Sequence, residues 1–173
     1  IIIAVASLIV SNNLVKKLAD EEHNKMEVWA EAMRSLNKAD ENTDLNLVLK
    51  VINENNTIPV IVTDSKRNVQ IYRNVDLKGV NFEDSMKNAE AISSKLLDDG
   101  KYIRIYLDDS LKTDYINVCY DDSVILKRLS TYPYIQLGVV MLFVVVAIFA
   151  LLTSKKAEQN KVWVGLSKET AHQ

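Results

Sequence analysis

Apolar residues fall into three regimes along this chain. From Tyr132 to Leu152, 21 residues contain no Asp, Glu, Lys, Arg or His, and the run is apolar all round. At about 1.5 Å rise per residue, a helix of that length spans the roughly 30 Å hydrocarbon core of a bilayer. Tyr132 and Tyr134 sit at one end, where amphipathic rings favour the interface, and Lys155 and Lys156 close the other. Ile1 to Val10 is also uncharged but too short to span. It reads as the outer end of a truncated first transmembrane helix. A signal-peptide core is the alternative, though no small-residue cleavage pattern precedes Ser11.

Between these runs the pattern is that of a folded domain. Val15, Leu18, Glu22, Met26, Trp29, Met33 and Leu36 recur at spacings of three or four, so a long helix extends to about Leu36, its apolar face broken at Glu22. Asp44 to Asn53 predicts a second, shorter helix with Thr43 as N-cap. Ile58 to Thr63 is a β-branched run, hence a strand. Asp64 to Asn68 is turn chemistry, and Val69 to Arg73 pairs back as a hairpin. Asn81 to Leu97 reads as a helix with Phe82, Met86, Ala89, Ile92 and Leu96 on one side, ended by Gly100. Strands follow at Lys101 to Leu107 and Asp114 to Tyr120. Asp121 to Ser123 then caps the helix that enters the membrane. Four antiparallel strands with helices on one face suffice for a core in roughly 110 residues.

Charge sharpens this division. Residues 11–128 hold 21 acids against 17 Lys plus Arg, whereas the tail from Lys155 holds four Lys and two Glu. The basic tail suits the cytoplasmic side; Lys127 and Arg128 at the other end weaken that inference. One cysteine, Cys119, cannot form an internal disulfide and reads as a small buried hydrophobe. No Cys and His spacing suggests a metal, and the mild acidity leaves no footprint for nucleic acid. His23, among Asp20, Glu21, Glu22 and Asn24, reads as part of a solvated helix face. The sequon Asn55-Asn56-Thr57 reads as a chance match.

The element order, a long helix leaving one membrane segment and a last strand feeding the next, resembles the extracytoplasmic PAS-like (Cache-like) sensor domains of bacterial receptors. The tail Trp163-Val-Gly-Leu-Ser-Lys-Glu-Thr-Ala-His-Gln173 resembles the phosphoacceptor box of the histidine-kinase dimerisation domain. Leu166 stands six before His172, and the small residue Ala171 directly precedes it, as in that family. The run Lys168-Glu-Thr-Ala-His-Gln173 is especially similar to the box of Bacteroidetes-type sensor kinases. The match covers about eleven residues and follows a membrane helix.

The resemblance implies an α+β chain: a PAS-like four-stranded antiparallel sheet with helices, flanked by transmembrane helices and a cytoplasmic signalling helix. The expected division is the end of a first membrane helix at 1–11, a periplasmic sensor domain at 12–131, a second membrane helix at 132–152, and a cytoplasmic linker with the start of the dimerisation helix at 153–173. It further implies a homodimer in the bacterial inner membrane, surrounded by membrane lipid. ATP and Mg²⁺, bound by a C-terminal domain, would phosphorylate His172, and the phosphoryl group would pass to a response-regulator aspartate. No ATP-binding motif occurs in these residues, so the fragment alone is expected to be inert. On a helix, six residues is about 600° of rotation, placing His172 about 120° from Leu166. Trp163, Leu166 and Thr170 then share a stripe for bundle packing, and His172 stays accessible to ATP. Its imidazole is neutral at cytoplasmic pH if it titrates near the ordinary value of about 6.5. Many family members have Glu or Asp after the histidine; here Gln173 can hydrogen-bond but is no base.

In the sensor, Tyr102, Arg104 and Tyr106 alternate against Ile103, Ile105 and Leu107, and Tyr115, Asn117 and Cys119 alternate against Ile116 and Val118. Gln70 and Tyr72 could join the polar-aromatic face, which suits either a small extracytoplasmic ligand or plain exposure to water. The alternative function is a non-enzymatic transmembrane receptor, chemoreceptor-like, with the same layout.

Overall fold

The computed structural model describes residues 1–79 and 81–171. They form two compact units: Asn13–Ser130, and Ile1–Asn12 with the chain from Thr131 onward. In chain order the elements are α1 (Ile2–Asn37), α2 (Asn46–Glu54), β1 (Val60–Thr63), β2 (Val69–Arg73), α3 (Phe82–Asp98), β3 (Tyr102–Tyr106), β4 (Tyr115–Tyr120) and α4 (Val124–Ala171). The fold is α+β. Its single sheet is antiparallel with strand order β2-β1-β4-β3.

Helices cover both faces of the sheet, not one. Met26, Trp29, Ala30 and Met33 of α1 pack on Val60, Val62, Ile105, Ile116 and Val118. Ala89 and Leu96 of α3 pack on Ile61, Val69 and Cys119. The reason lies in β1, whose four residues are all buried. A strand that alternates apolar and polar needs one cover; a continuous β-branched strand needs two.

The hairpin turn forms as its residues dictate. Asp64 Oδ1 accepts from the backbone N–H of Lys66 and Asn68, each at 2.8 Å, and Oδ2 accepts from Asn68 Nδ2 at 2.9 Å. Arg67 takes the left-handed conformation, φ 68°. One residue is extra in β2: Val62 faces Ile71 and Thr63 faces Val69, leaving Gln70 in a bulge. At the end of α3, Asp99 N–H donates to Lys95 O, Gly100 N–H to Leu97 O and Lys101 N–H to Leu96 O. Gly100 there adopts φ 73°, which costs it nothing.

Two local expectations change. Thr43 does not cap α2: its hydroxyl donates to Asp40 Oδ1 at 2.6 Å, and Asp44 Oδ1 accepts from Asn46 N–H instead. The Asp40 carboxylate and N–H both engage the Thr43 hydroxyl, so it is not free to cap the helix. Phe82, expected on the packed side of α3, is 75% exposed. The stripe that packs begins one turn further in, at Met86.

In the second unit, α4 contains Pro133, which has no N–H to offer the carbonyl one turn back at Leu129. Both α1 and α4 include a stretch long and apolar enough to cross a membrane, and no residue of either stretch is buried.

The Asp64 turn yields a pH-dependent prediction. Its hydrogen bonds, from the Asn68 side chain first, hold the carboxyl below the ordinary carboxylate value against the opposing effect of burial. A folded-state pKa below the unfolded one stabilises above the unfolded value of about 3.9, and that contribution is lost as pH falls through the folded value. Asp64→Ala should therefore destabilise the domain by about 1 kcal/mol at neutral pH. Denaturant unfolding should show the gap between variant and parent narrowing as pH falls through the acid range below the ordinary carboxylate value. A gap that is the same at neutral and at acid pH would contradict this account of the turn.

Candidate functional site

The side chains that carry chemistry gather in three places within the Asn13–Ser130 unit. The first is the polar-aromatic sheet face. Register pairs Tyr102 with Cys119, Arg104 with Asn117 and Tyr106 with Tyr115, so all six share one face. This is the face that α3 covers at Ile61, Val69 and Cys119. Beyond that cover Arg104 is exposed, yet it is held: Nε donates to Asn117 Oδ1 at 3.0 Å, and its guanidinium carbon lies 4.2 Å from the Tyr115 ring centroid and 5.5 Å from that of Tyr102. Tyr106 meets Tyr115 edge-on at 6.1 Å, with Lys112 Nζ 5.8 Å from the Tyr106 centroid. The three expected residues, Tyr102, Arg104 and Tyr106, do come together, and the structure adds Tyr115, Asn117 and Lys112. Tyr72 pairs with Ile61 and so lies on this face, whereas bulged Gln70 turns to Asp64 Oδ2 at 3.4 Å.

The second place is where α1 meets the start of α4. Glu22, the break in the apolar stripe of α1, is only 8% exposed. Its carboxylate accepts hydrogen bonds from Ser123 N–H, at 3.1 Å, and from the Ser123 hydroxyl. Ser123 Oγ in turn accepts from Leu126 N–H at 3.1 Å, the geometry of an N-cap. The negative charge thus sits at a helix N-terminus, where free N–H groups and the helix dipole favour it. One residue on, His23 Nδ1 lies 2.6 Å from Tyr120 Oη and Nε2 lies 3.4 Å from Glu27 Oε1. His23 is half-exposed, but it is tied to the end of β4 and not simply solvated. A polar residue in an apolar helical stripe was the visible signal here; its partner, 101 residues away, was not.

The third is a cleft of about 580 Å³ between the sheet and α3, floored by Ile61, Ile92 and Leu96 and reaching Val124 of α4. On its rim Lys101 pairs with Asp121 at 3.5 Å and Asp122 at 3.3 Å. Burial pushes the Lys101 ammonium down, but the two carboxylates outweigh it and its pKa rises. Burial likewise pushes Asp121 up, and Lys127, the Asp122 N–H and Lys101 bring it below the ordinary value. Cys119, fully buried beneath this face, has its thiol pushed up to about 11 by burial, with the Thr63 hydroxyl and Arg67 drawing the other way. It is an inert thiol in the folded state.

His172 lies outside the described residues. Among the described residues, no group of three or more His, Cys, Asp or Glu is placed to hold a metal ion.

The Glu22 contact generates a prediction. Ser123→Ala and Glu22→Ala should each destabilise the folded unit by about 2 kcal/mol, because each strands a buried partner. The double variant should lose clearly less than the sum, since both changes remove the same contact. Denaturant unfolding of the four proteins measures this; strict additivity would mean that the two side chains do not act on each other.

No protein-family model, no curated protein and no solved structure matches this chain, so the functional reading rests on its residues and their geometry.

Proposed function

We propose that this chain is the sensing and phosphoacceptor part of a transmembrane sensor histidine kinase of a two-component system. On this reading Asn13–Ser130 is a PAS-like sensor in the periplasm, and α1 and α4 carry the two membrane spans of a homodimer in the bacterial inner membrane. His172 accepts the phosphoryl group. Mg-ATP is bound by a separate catalytic domain and a response-regulator aspartate is the final acceptor. An imidazole nitrogen of His172 attacks the γ-phosphorus, the bond to the β-phosphate oxygen breaks, and ADP leaves.

The observation that carries this reading is the continuity of α4. One helix, Val124–Ala171, starts at the Ser123 cap beside Glu22 and extends to the residue before His172. On this reading a single run of helix joins the sensor to the phosphoacceptor segment with no intervening loop. Arg104 and its tyrosines supply a face on which an extracytoplasmic signal could act. The kinase assignment itself rests on the resemblance of residues 163–173 to the phosphoacceptor box.

Two measurements test it. Full-length protein in membranes, given labelled ATP and Mg²⁺, should acquire an acid-labile, base-stable phosphoryl group that His172→Ala abolishes. Undiminished labelling of the variant would remove His172 from the reaction, and no labelling of the parent would favour a non-enzymatic receptor. For topology, Cys119 should react with a membrane-impermeant thiol reagent on intact spheroplasts only after mild unfolding, because its thiol is fully buried and its pKa is raised. Reaction that requires lysis would place the Asn13–Ser130 unit on the cytoplasmic side.

A further inference from the structure

We propose that the open half of the α3-side sheet face binds a small organic carboxylate, gripped by the terminal guanidinium nitrogens of Arg104. The binding chemistry stands on the geometry of the face; only its role as the input signal rests on the sensor reading above.

Arg104 is positioned as a prepared anion clamp is. Its Nε is occupied by Asn117 Oδ1, and one face of the guanidinium is stacked on Tyr115. Asn117 is buried in the central strand pair, so its amide is a fixed anchor that sets the direction of the fork. The two terminal nitrogens have no partner among the described residues. Nor does any carboxylate lie within ion-pair distance of Arg104 or of Lys112. Arg34 meets Glu31 and Asp109 and Arg67 meets Asp98, while Arg73, which also meets no acid, spends its terminal nitrogens on Ile52 O and Asn53 Oδ1. The two cations, neither in an ion pair, are set among three tyrosines that act as aromatic walls. A planar carboxylate matches the parallel N–H pair of an arginine fork, and its hydrocarbon part has Tyr102 and Tyr106 beside it. Positions 102 and 106 flank Arg104 on the same strand face, so the walls follow from the strand period alone.

Calorimetry on the full chain in lipid nanodiscs tests this with four probes: benzoate, acetate, the uncharged isostere benzamide, and inorganic phosphate. Benzoate should bind saturably and benzamide at least about tenfold more weakly, the loss expected when a charged hydrogen-bond acceptor is removed. Arg104→Gln should weaken benzoate by about tenfold or more while the chain still unfolds in one cooperative transition, its melting temperature lowered by the loss of the Asn117 hydrogen bond. Arg104→Lys should also weaken it, because an ammonium keeps the charge but not the fork. Asn117→Ala should weaken benzoate in the parent and add nothing in the Arg104→Gln background, which separates positioning of Arg104 from a general loss of structure. The proposal is overturned if neither carboxylate binds, if benzamide binds as well as benzoate, or if Arg104→Gln binds benzoate like the parent. Phosphate binding tighter than either carboxylate would replace the assignment with an oxyanion site of another class. None of these outcomes touches His172 labelling or Cys119 topology, so the two readings fail separately.

Discussion

Val60, Ile61, Val62 and Thr63 are buried on both faces of the sheet, and the rest of the domain is arranged to satisfy them. Val60 and Val62 require an apolar cover on one side, which the stripe Met26, Trp29 and Met33 of α1 provides. Ile61, with Cys119 of the neighbouring strand, requires one on the other, which Ala89 and Leu96 of α3 provide. Each cover is an amphipathic helix with little else to bury its stripe against, so sheet and helices depend on one another. With β1 and β4 central, the edges fall to β2 and β3. β3 carries Tyr102, Arg104 and Tyr106, so the polar face lies at an edge whose Tyr102 end joins the α3 cluster and whose Arg104 is exposed.

The junction of α1 with α4 follows a different rule. A buried carboxylate is costly unless its oxygens are satisfied. Glu22 meets that condition with the N–H and hydroxyl of Ser123 at the mouth of a helix. The arrangement is directional, unlike hydrophobic packing: it specifies which residue of α1 lies against which residue of α4. His23 on Tyr120 adds a second contact one residue along. Together these contacts fix the register of α1 against the start of α4.

The sheet face and the cleft differ in what they can recognise. In the cleft, Lys101 is matched by Asp121 and Asp122. A charged ligand entering there must compete with contacts already made. On the Arg104 face the charge is unmatched and the fork is already oriented, so little reorganisation opposes binding.

Much of this was legible in the linear sequence. The 21-residue apolar run, the 3.6-residue stripe of the first long helix, the Asp64–Asn68 turn, the Gly100 stop and the strand alternation that puts Tyr102, Arg104 and Tyr106 on one face all depend on neighbours within a few positions. Local sterics and local hydrogen bonds decide such features, and the sequence states them directly. What the tertiary structure decided depends on residues far apart. The β-branched run of β1 announced a strand, but only its position between β2 and β4 showed that both faces needed cover. Glu22 looked like a fault in an apolar stripe until Ser123, 101 residues away, was found against it. Arg104 looked like one exposed cation until Asn117 and Tyr115 were seen to hold it and no acid to match it. A one-dimensional pattern records which groups a residue would accept, and only the fold determines which of them arrive.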